Sequence, residues 1–304
     1  MDGLLLVHKP EGPTSHDVVA RVRRIVGFSR VGHFGTLDPF ASGLLLVGVG
    51  KATRLFPFLG TAEKSYEGRI RLGVATDTYD RTGAVTAETS PPSWPAIEAV
   101  RQAMNRFVGA FLQSPPPFSA KKFRGRRLYD YARRGTEVAP SPCPVKVRAF
   151  VLKSYSPPDI EFEVNCSSGT YVRSLAHDLG EALGCGAHLA SLVRTAVGTY
   201  RLADARSLED LAALAEDRRW PEALLPLAEL LPHLPKLVLS ARDADRVKNG
   251  RLVTASVPAE TAGEADGPSS GAGPVRLFAP DGRLVALARP LPDGTTLAPF
   301  LVLV

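Results

Sequence analysis

Residues 30–44 read Arg-Val-Gly-His-Phe-Gly-Thr-Leu-Asp-Pro-Phe-Ala-Ser-Gly-Leu. Gly32, Gly35 and Gly43 punctuate the stretch, and glycine lets a backbone take positive φ or run close against a neighbour. Asp38 precedes Pro39, which pushes the aspartate toward an extended conformation. A carboxylate held in that way is presented at a defined angle, ready to act as nucleophile, base or ligand. An Asp-Pro pair equally begins an ordinary turn. Residues 32–43 read as a loop, and two apolar runs, residues 3–7 and 44–49, each read as a short buried strand.

Outward from this loop, Val18, Val19, Val22, Ile25 and Val26 lie on one helical face, with Ser15 as its expected N-cap and Gly27 just past its end. Residues 51–58 are expected to begin a helix, 65–72 alternate as a strand does, and 93–106 read as helical. Residues 145–154 and 160–166 read as paired strands. Residues 170–183 form a helix with Val172, Leu175, Ala176, Leu179 and Leu183 on one face, and 207–216 form another short one. Pro221, Pro226, Pro232 and Pro235 mark an expected domain boundary, giving domains 1–232 and 233–304. Beyond it, a helix near 240–248 and several short strands are expected. Residues 258–274 contain only Gly, Ala, Ser, Pro, Thr, Asp and Glu, the composition of a flexible insertion. Strands and helices mix without a βαβ rhythm, so the class is α+β rather than doubly wound.

The chain has 304 residues, 44% hydrophobic and 22% charged, which fits a globular core and excludes collagen, coiled coil and wholesale disorder. Cys143, Cys166 and Cys185 are an odd number without CxxC spacing, which argues against a disulfide framework and a cysteine-rich zinc site. The first apolar run is too short for a signal-peptide core, and no stretch approaches the ~18 apolar residues of a membrane span. A cytoplasmic setting is the expectation. Residues 1–134 hold 20 Lys/Arg against 11 Asp/Glu, a balance of +9; residues 135–304 hold 17 against 20, a balance of −3. A basic N-terminal part points to a polyanionic partner such as nucleic acid, although charge by itself is also compatible with none.

Gly48-Val49-Gly50-Lys51 has the look of a phosphate loop but fails on spacing: Leu45 stands where a glycine is needed and Ala52 where Ser or Thr is needed. The six histidines are scattered, and no metal site is expected. Arg173 is unusual, because the first turn of a helix disfavours a cation unless it faces an anion such as the Asp38 carboxylate or a phosphate. Residues 121–134 hold seven basic residues, one acid and the aromatics Phe123, Tyr129 and Tyr131. Basic residues track phosphates and aromatics stack on bases. Leu128, Tyr131 and Ala132 also fit the inward face of a short helix, which would make Tyr131 a core residue.

With these residues assembled, the sequence resembles the bacterial tRNA pseudouridine synthase B family. The resemblance is carried by GLLLVHKPEGPTSHDVV, RVGHFGTLDPFASGLL, KSYEGRIRLG with TDTYDRTG, PPPFSAKKFRGRRLYDYARRG, and CSSGTYVRSLAHDLGEALGCGAHLASLVRTAVG, in family order. It implies an α+β catalytic domain with a mixed, mainly antiparallel sheet and flanking helices, plus a small C-terminal β-barrel of the PUA type, a weaker match carried by residues 246–253. It implies isomerisation of uridine to pseudouridine at position 55 in the T loop of tRNA, by base flipping and without metal or organic cofactor.

By resemblance, Asp38 is the nucleophile, attacking C6 of the base or C1′ of the ribose. Tyr66 stacks on the target base and handles the C5 proton, and Arg173 pairs with the catalytic carboxylate. Leu192 lines the uracil pocket, His33 helps unstack the T loop, Lys9 and Pro10 support the active-site loop, and Tyr171 lies beside the pocket. Residues 114–140 correspond to a mobile loop that closes on the tRNA, with Lys122, Arg126 and Arg127 on phosphate. Phe34 departs from the family's usual small residue, which predicts different packing at the loop rim. The expected partner is the tRNA T arm, with no membrane and no obligatory protein partner, and the chain is expected to be a monomer. Two other readings are a guide-RNA-dependent pseudouridine synthase and a tRNA-folding chaperone with catalysis secondary. An aspartate glycosidase would need a second carboxylate in a comparable loop, and none is present.

Overall fold

The computed structural model describes residues 1–304 except 120, 124, 133, 135, 137, 139, 140 and 255–272, and for 122, 126, 127 and 132 it describes the backbone alone. The first half of the chain runs β1 (Gly3–Lys9), α1 (Ser15–Val26), β2 (Val31–His33), β3 (Ser42–Val49), α2 (Phe56–Leu59), β4 (Lys64–Leu72), β5 (Val74–Thr76), β6 (Val85–Glu88), α3 (Ile97–Asn105), β7 (Gly109–Gln113), β8 (Lys122–Phe123), β9 (Arg126–Arg127) and α4 (Leu128–Ala132). It continues through β10 (Cys143–Ser156), β11 (Asp159–Cys166), α5 (Val172–Ala182), β12 (Ala187–Val197), β13 (Tyr200–Arg201), α6 (Leu208–Glu216) and β14 (Leu224–Pro226). The C-terminal part holds β15 (Lys236–Val238), α7 (Ala241–Lys248), β16 (Val253–Thr254), β17 (Val275–Phe278), β18 (Leu284–Pro290) and β19 (Thr296–Val302).

The main sheet has the order β14-β1-β3-β12-β4-β11-β10-β7, with β2 added on β3 and β13 on β12. Only the short β12–β3 pairing is parallel, so the sheet is mixed and mainly antiparallel, as expected. The continuous run Leu4–Val7 has a physical reason: β1 is covered on both faces. Leu4 and Leu6 pack with Leu44, Leu46 and Phe34 on one side, while Leu5 and Val7 pack against Val18, Val19 and Val22 of α1 on the other. The outer strands alternate instead. Ile160, Phe162 and Val164 of β11 face a core under α3 and α5, and Glu161 and Glu163 face outward.

Several sequence expectations need correction. Thr14, not Ser15, caps α1: its hydroxyl accepts from the Asp17 amide and Asp17 bonds back to the Thr14 amide, a reciprocal capping box. Ser15 is the first helical residue and is buried. Residues 51–58 form a 3-10 turn (Gly50–Leu55) before α2 rather than one helix, and the 93–106 helix is shortened to α3. Phe34 is not at a rim; it is a core residue packed beside Phe56 and over Gly48. Strand β12, central in the sheet, was not predicted. The α4 turn does form, with Leu128 buried and Tyr131 half-buried against Phe123.

The C-terminal strands pair in the order β15-β17-β18-β19-β16 around Leu277, Val285, Ala286 and Val247 of α7. Phe278, Leu284, Leu287 and Leu303 join the core that contains Leu4 and Leu6. Arg276 donates to the carbonyls of Leu230, Pro232 and Leu234, tying this sheet to the proline-rich stretch before it. Of the expected insertion, residues 258–272 lie outside the described residues.

Candidate active site

The loop of residues 34–41 joins β2 to β3, and donors from three directions fix it. Lys9, at the end of β1, sends its Nζ to the carbonyls of Ala41 at 2.6 Å and Pro39 at 3.3 Å. Ser15, at the start of α1, both accepts from the Leu37 amide at 2.9 Å and donates to the Leu37 carbonyl at 3.0 Å. Arg194, on β12, donates to Leu44, Thr36 and Gly35 carbonyls at 2.7, 3.3 and 3.1 Å. Gly43 is required where this loop rejoins the sheet: its φ is +111°, and a Cβ there would stand 2.4 Å from the Arg194 carbonyl. The backbone on both sides of Asp38 is thus over-determined, which is what a carboxylate with a fixed direction needs.

Asp38 meets Arg173, as expected, on the first turn of α5. Nε lies 2.9 Å from one carboxylate oxygen as an ion pair, and Nη2 donates to the other at 3.2 Å. The guanidinium is buried rather than reaching into solvent. Its remaining contacts are with Asp80, 3.3 Å from Nη1 and itself buried, and with the carbonyls of Thr78 and Phe118 at 2.9 and 3.0 Å. Asp80 is in turn held by the Thr78 and Thr82 hydroxyls and the Thr82 amide. Sequence reasoning missed Asp80 and Arg194; the quoted TDTYDRTG contains the first and SLVRTAVG the second, but nothing local marks either as buried.

The start of α5 has no side-chain cap of its own. Buried Gln113 replaces one, accepting from the Tyr171 amide at 2.8 Å and donating to its carbonyl at 3.0 Å. Ser174 adds a bond to the Ser114 carbonyl. The root of the basic excursion is therefore fastened to the helix that carries Arg173.

Asp38, Tyr66, Tyr171, Arg173 and Leu192 line one cavity of about 410 Å³, together with Lys64, Ser119 and Lys121 among others. Tyr66 and Leu192 come from neighbouring strands β4 and β12. Burial holds the Tyr66 phenol above its ordinary pKa, against the opposing pull of Arg194 beside it, so it is a neutral ring at physiological pH. Burial raises Tyr171 in the same way, with the Ser119 hydroxyl opposing.

Lys9 lies under the loop and its pKa is lowered to about 8 by burial. His33 is not among the residues that line the cavity. It is half-buried on β2, edge-on to His16, and its pKa is lowered to about 4 by burial, with His16 and Arg194 adding to the effect, so it is neutral at pH 7. Lys122, Arg126 and Arg127 lie on the ribbon β8–β9, but their side chains are outside the described residues. Among the described residues no three His, Cys, Asp or Glu converge as a metal centre, and no helix is long and apolar enough to cross a membrane.

Comparison with known proteins meets this geometry. The TruB family pseudouridylate synthase N-terminal domain matches residues 23–172, and the tRNA pseudouridylate synthase B C-terminal domain matches residues 173–232. The tRNA pseudouridine synthase B of Solibacter usitatus (strain Ellin6076) is 46% identical over 256 residues, covering 84% of this chain and 87% of that protein. That of Thermobifida fusca (strain YX) is 45% identical over 296 residues, covering 94% of each. Among solved structures, that of an H/ACA RNP bound to a substrate RNA containing 2′-deoxyuridine superposes with a TM-score of 0.72 at 25% identity, covering 99% of this chain and 85% of that one. An archaeal box H/ACA sRNP Nop10-Cbf5 complex gives 0.71 at 26%, with coverage of 99% and 86%. The matched domains span the Asp38 loop, Tyr66, Arg173 and Leu192, and the chain belongs to the tRNA pseudouridine synthase B family.

Proposed function

We propose that this chain isomerises uridine to pseudouridine at position 55 in the T loop of tRNA, with Asp38 as the nucleophile. The observation that carries the assignment is the buried Arg173 held against Asp38 in a cavity also lined by Tyr66 and Leu192. The reaction breaks C1′–N1 and remakes the link as C1′–C5 in one site, so it needs no energy source. The target base must leave the loop's stack at a cost of roughly a few kcal/mol. Stacking on the neutral Tyr66 ring returns about 1–3 kcal/mol of that.

A carboxylate is a weak nucleophile, so much of the acceleration falls to orientation, which Lys9, Ser15 and Arg194 provide by fixing the loop backbone and Arg173 by fixing the carboxylate. The fixed carboxylate serves attack at C6 and attack at C1′ alike. Tyr66 handles the C5 proton, Leu192 and Tyr171 complete the pocket, and neutral His33 acts on the T loop through its ring rather than its charge.

The ribbon β8–β9 and its flanks are proposed to close over the T arm, with Lys122, Arg126 and Arg127 on phosphates. Residues 233–304 are proposed as a second, PUA-like domain that binds RNA through a local patch, since residues 135–304 carry a balance of −3. The likeness to H/ACA structures keeps a guide-dependent enzyme in view. Identity of 40–46% to stand-alone bacterial relatives over most of the chain, against 25–26% for those structures, favours the stand-alone form. Incubating the protein with unmodified tRNA, without guide RNA, and mapping pseudouridine tests this. One modified position in the T loop is expected, and absence of product without a guide contradicts it.

A further inference from the structure

Beside Tyr66, Lys64 and Arg194 are buried cations that have no ion pair among the described residues. Arg173 is balanced by Asp38 and Asp80. Arg194, one of the largest fully buried side chains, donates to the carbonyls of Leu44, Thr36 and Gly35 and is also a hydrogen-bond partner of the Tyr66 phenol. Lys64, buried at the start of β4, donates to the carbonyls of Gly60 at 3.1 Å and Ala62 at 2.8 Å. Among the described residues neither has a carboxylate within salt-bridge reach. The two are neighbours: a Cβ on Gly35 would lie 3.4 Å from Lys64 Cε and 3.7 Å from Arg194 Nη1. Lys64 lines the cavity, two residues from Tyr66 on the same face of β4, and Arg194 stands behind the lining, opposite Tyr66 in the strand register. Cys166, also near Lys64, is no counterion, because burial pushes its thiol up to about 11.

Uncompensated buried cations are costly in a folded protein. They are expected where negative charge arrives during a reaction and must be met by fixed charge rather than by water. Either route for the chemistry makes such charge. If Asp38 attacks C1′, the C1′–N1 pair leaves with the base as a pyrimidine anion. If Asp38 attacks C6, the C5–C6 π pair moves onto C5 and O4 as an enolate. In both routes one unit of negative charge passes from the carboxylate, where Arg173 balanced it, to the ring lying on Tyr66. We propose that Lys64, backed by Arg194, supplies the counter-charge for the anionic pyrimidine, making Lys64 a residue of the reaction as well as of the fold. This rests on the pseudouridine synthase reading. Burial, then Arg194, lowers the Lys64 pKa to about 8, which leaves it a cation at neutral pH and one that an incoming anion would re-stabilise.

The test compares wild type, K64M and K64R in single turnover on two T-arm RNAs, one with uridine and one with 5-fluorouridine at the target. Fluorine withdraws electrons and stabilises the ring anion by itself. K64M is expected to lose roughly 10²-fold in rate on uridine RNA, with RNA affinity held, and K64R to recover most of it. On 5-fluorouridine RNA the K64M loss should shrink markedly. The ratio of the two losses within one variant is independent of how much of it is folded, so a purely structural lysine gives equal losses on both RNAs. Equal losses, or an unaffected K64M, overturn this proposal while an active wild type leaves the pseudouridine synthase reading standing. A wild type inactive on both overturns that reading instead.

Discussion

Arg173 stands between two carboxylates, 2.9 Å from Asp38 and 3.3 Å from Asp80, and only Asp38 of the two lines the cavity. The arginine therefore holds one carboxylate for chemistry by being held by the other. Arg173→Lys keeps the charge but loses the planar fork that reaches both. It is expected to fold and to lose activity by roughly 10²-fold, the scale of a small misplacement of a reacting group. Circular dichroism and single-turnover rates separate the two; loss of fold would make Arg173 structural.

Asp80→Asn removes a buried charge from that relay and leaves Arg173 with a single anion. A broken buried pair costs about 3–5 kcal/mol when no partner remains, and Asp38 keeps the cost below that. The expected signature is a fall in kcat with RNA affinity unchanged, read by single-turnover kinetics beside a binding titration. Unchanged kcat would show that Asp80 does not support Arg173.

Ser15→Ala strips the Leu37 amide and carbonyl of their shared partner one residue before Asp38. Buried groups left unpaired cost about 1–3 kcal/mol, so urea unfolding should show a loss of that order together with slower turnover. Full stability would mean that water or a neighbour takes over both bonds.

His33 is held near pKa 4 in the folded chain, against 6.5 for a free imidazole. Between those values the unfolded chain binds more protons than the folded one. Its contribution to stability is therefore complete above about pH 6.5 and is lost as pH falls toward 4. Urea titrations from pH 7 to 4.5 should show a shallower decline for His33→Gln than for wild type; parallel declines would place the titration elsewhere.

Neutralising Arg126 and Arg127 to Gln tests the ribbon β8–β9. Each arginine–phosphate pairing removed should flatten the slope of log affinity against log salt by about 0.7–0.9. An unaltered slope would mean that the ribbon touches no phosphate.

How much of this was legible depended on whether the signal was local. The Asp38 loop announced itself through its glycines and Asp-Pro, and Arg173 through its misfit with the helix dipole. Strands β1 and β3 were visible because double-sided burial makes them continuously apolar. Strand β12 was not: its register slips between Leu189 and Ser191 and again between Arg194 and Ala196, which breaks the alternation that marks a strand. Arg194 reads as a surface residue in the sequence, since three of its partners are backbone carbonyls with no sequence signature. Asp80 and Gln113 act on residues far away in the chain, and nothing beside them in sequence shows it.

The most direct measurement of the central claim is pseudouridine mapping on a T-arm RNA after incubation with Asp38→Asn, alongside an affinity titration. The exchange removes the nucleophilic charge while keeping shape and hydrogen bonding. No pseudouridine, with RNA affinity within a few-fold of wild type, is the predicted result; product formed at the wild-type rate would contradict the assignment of Asp38 and the mechanism built on it.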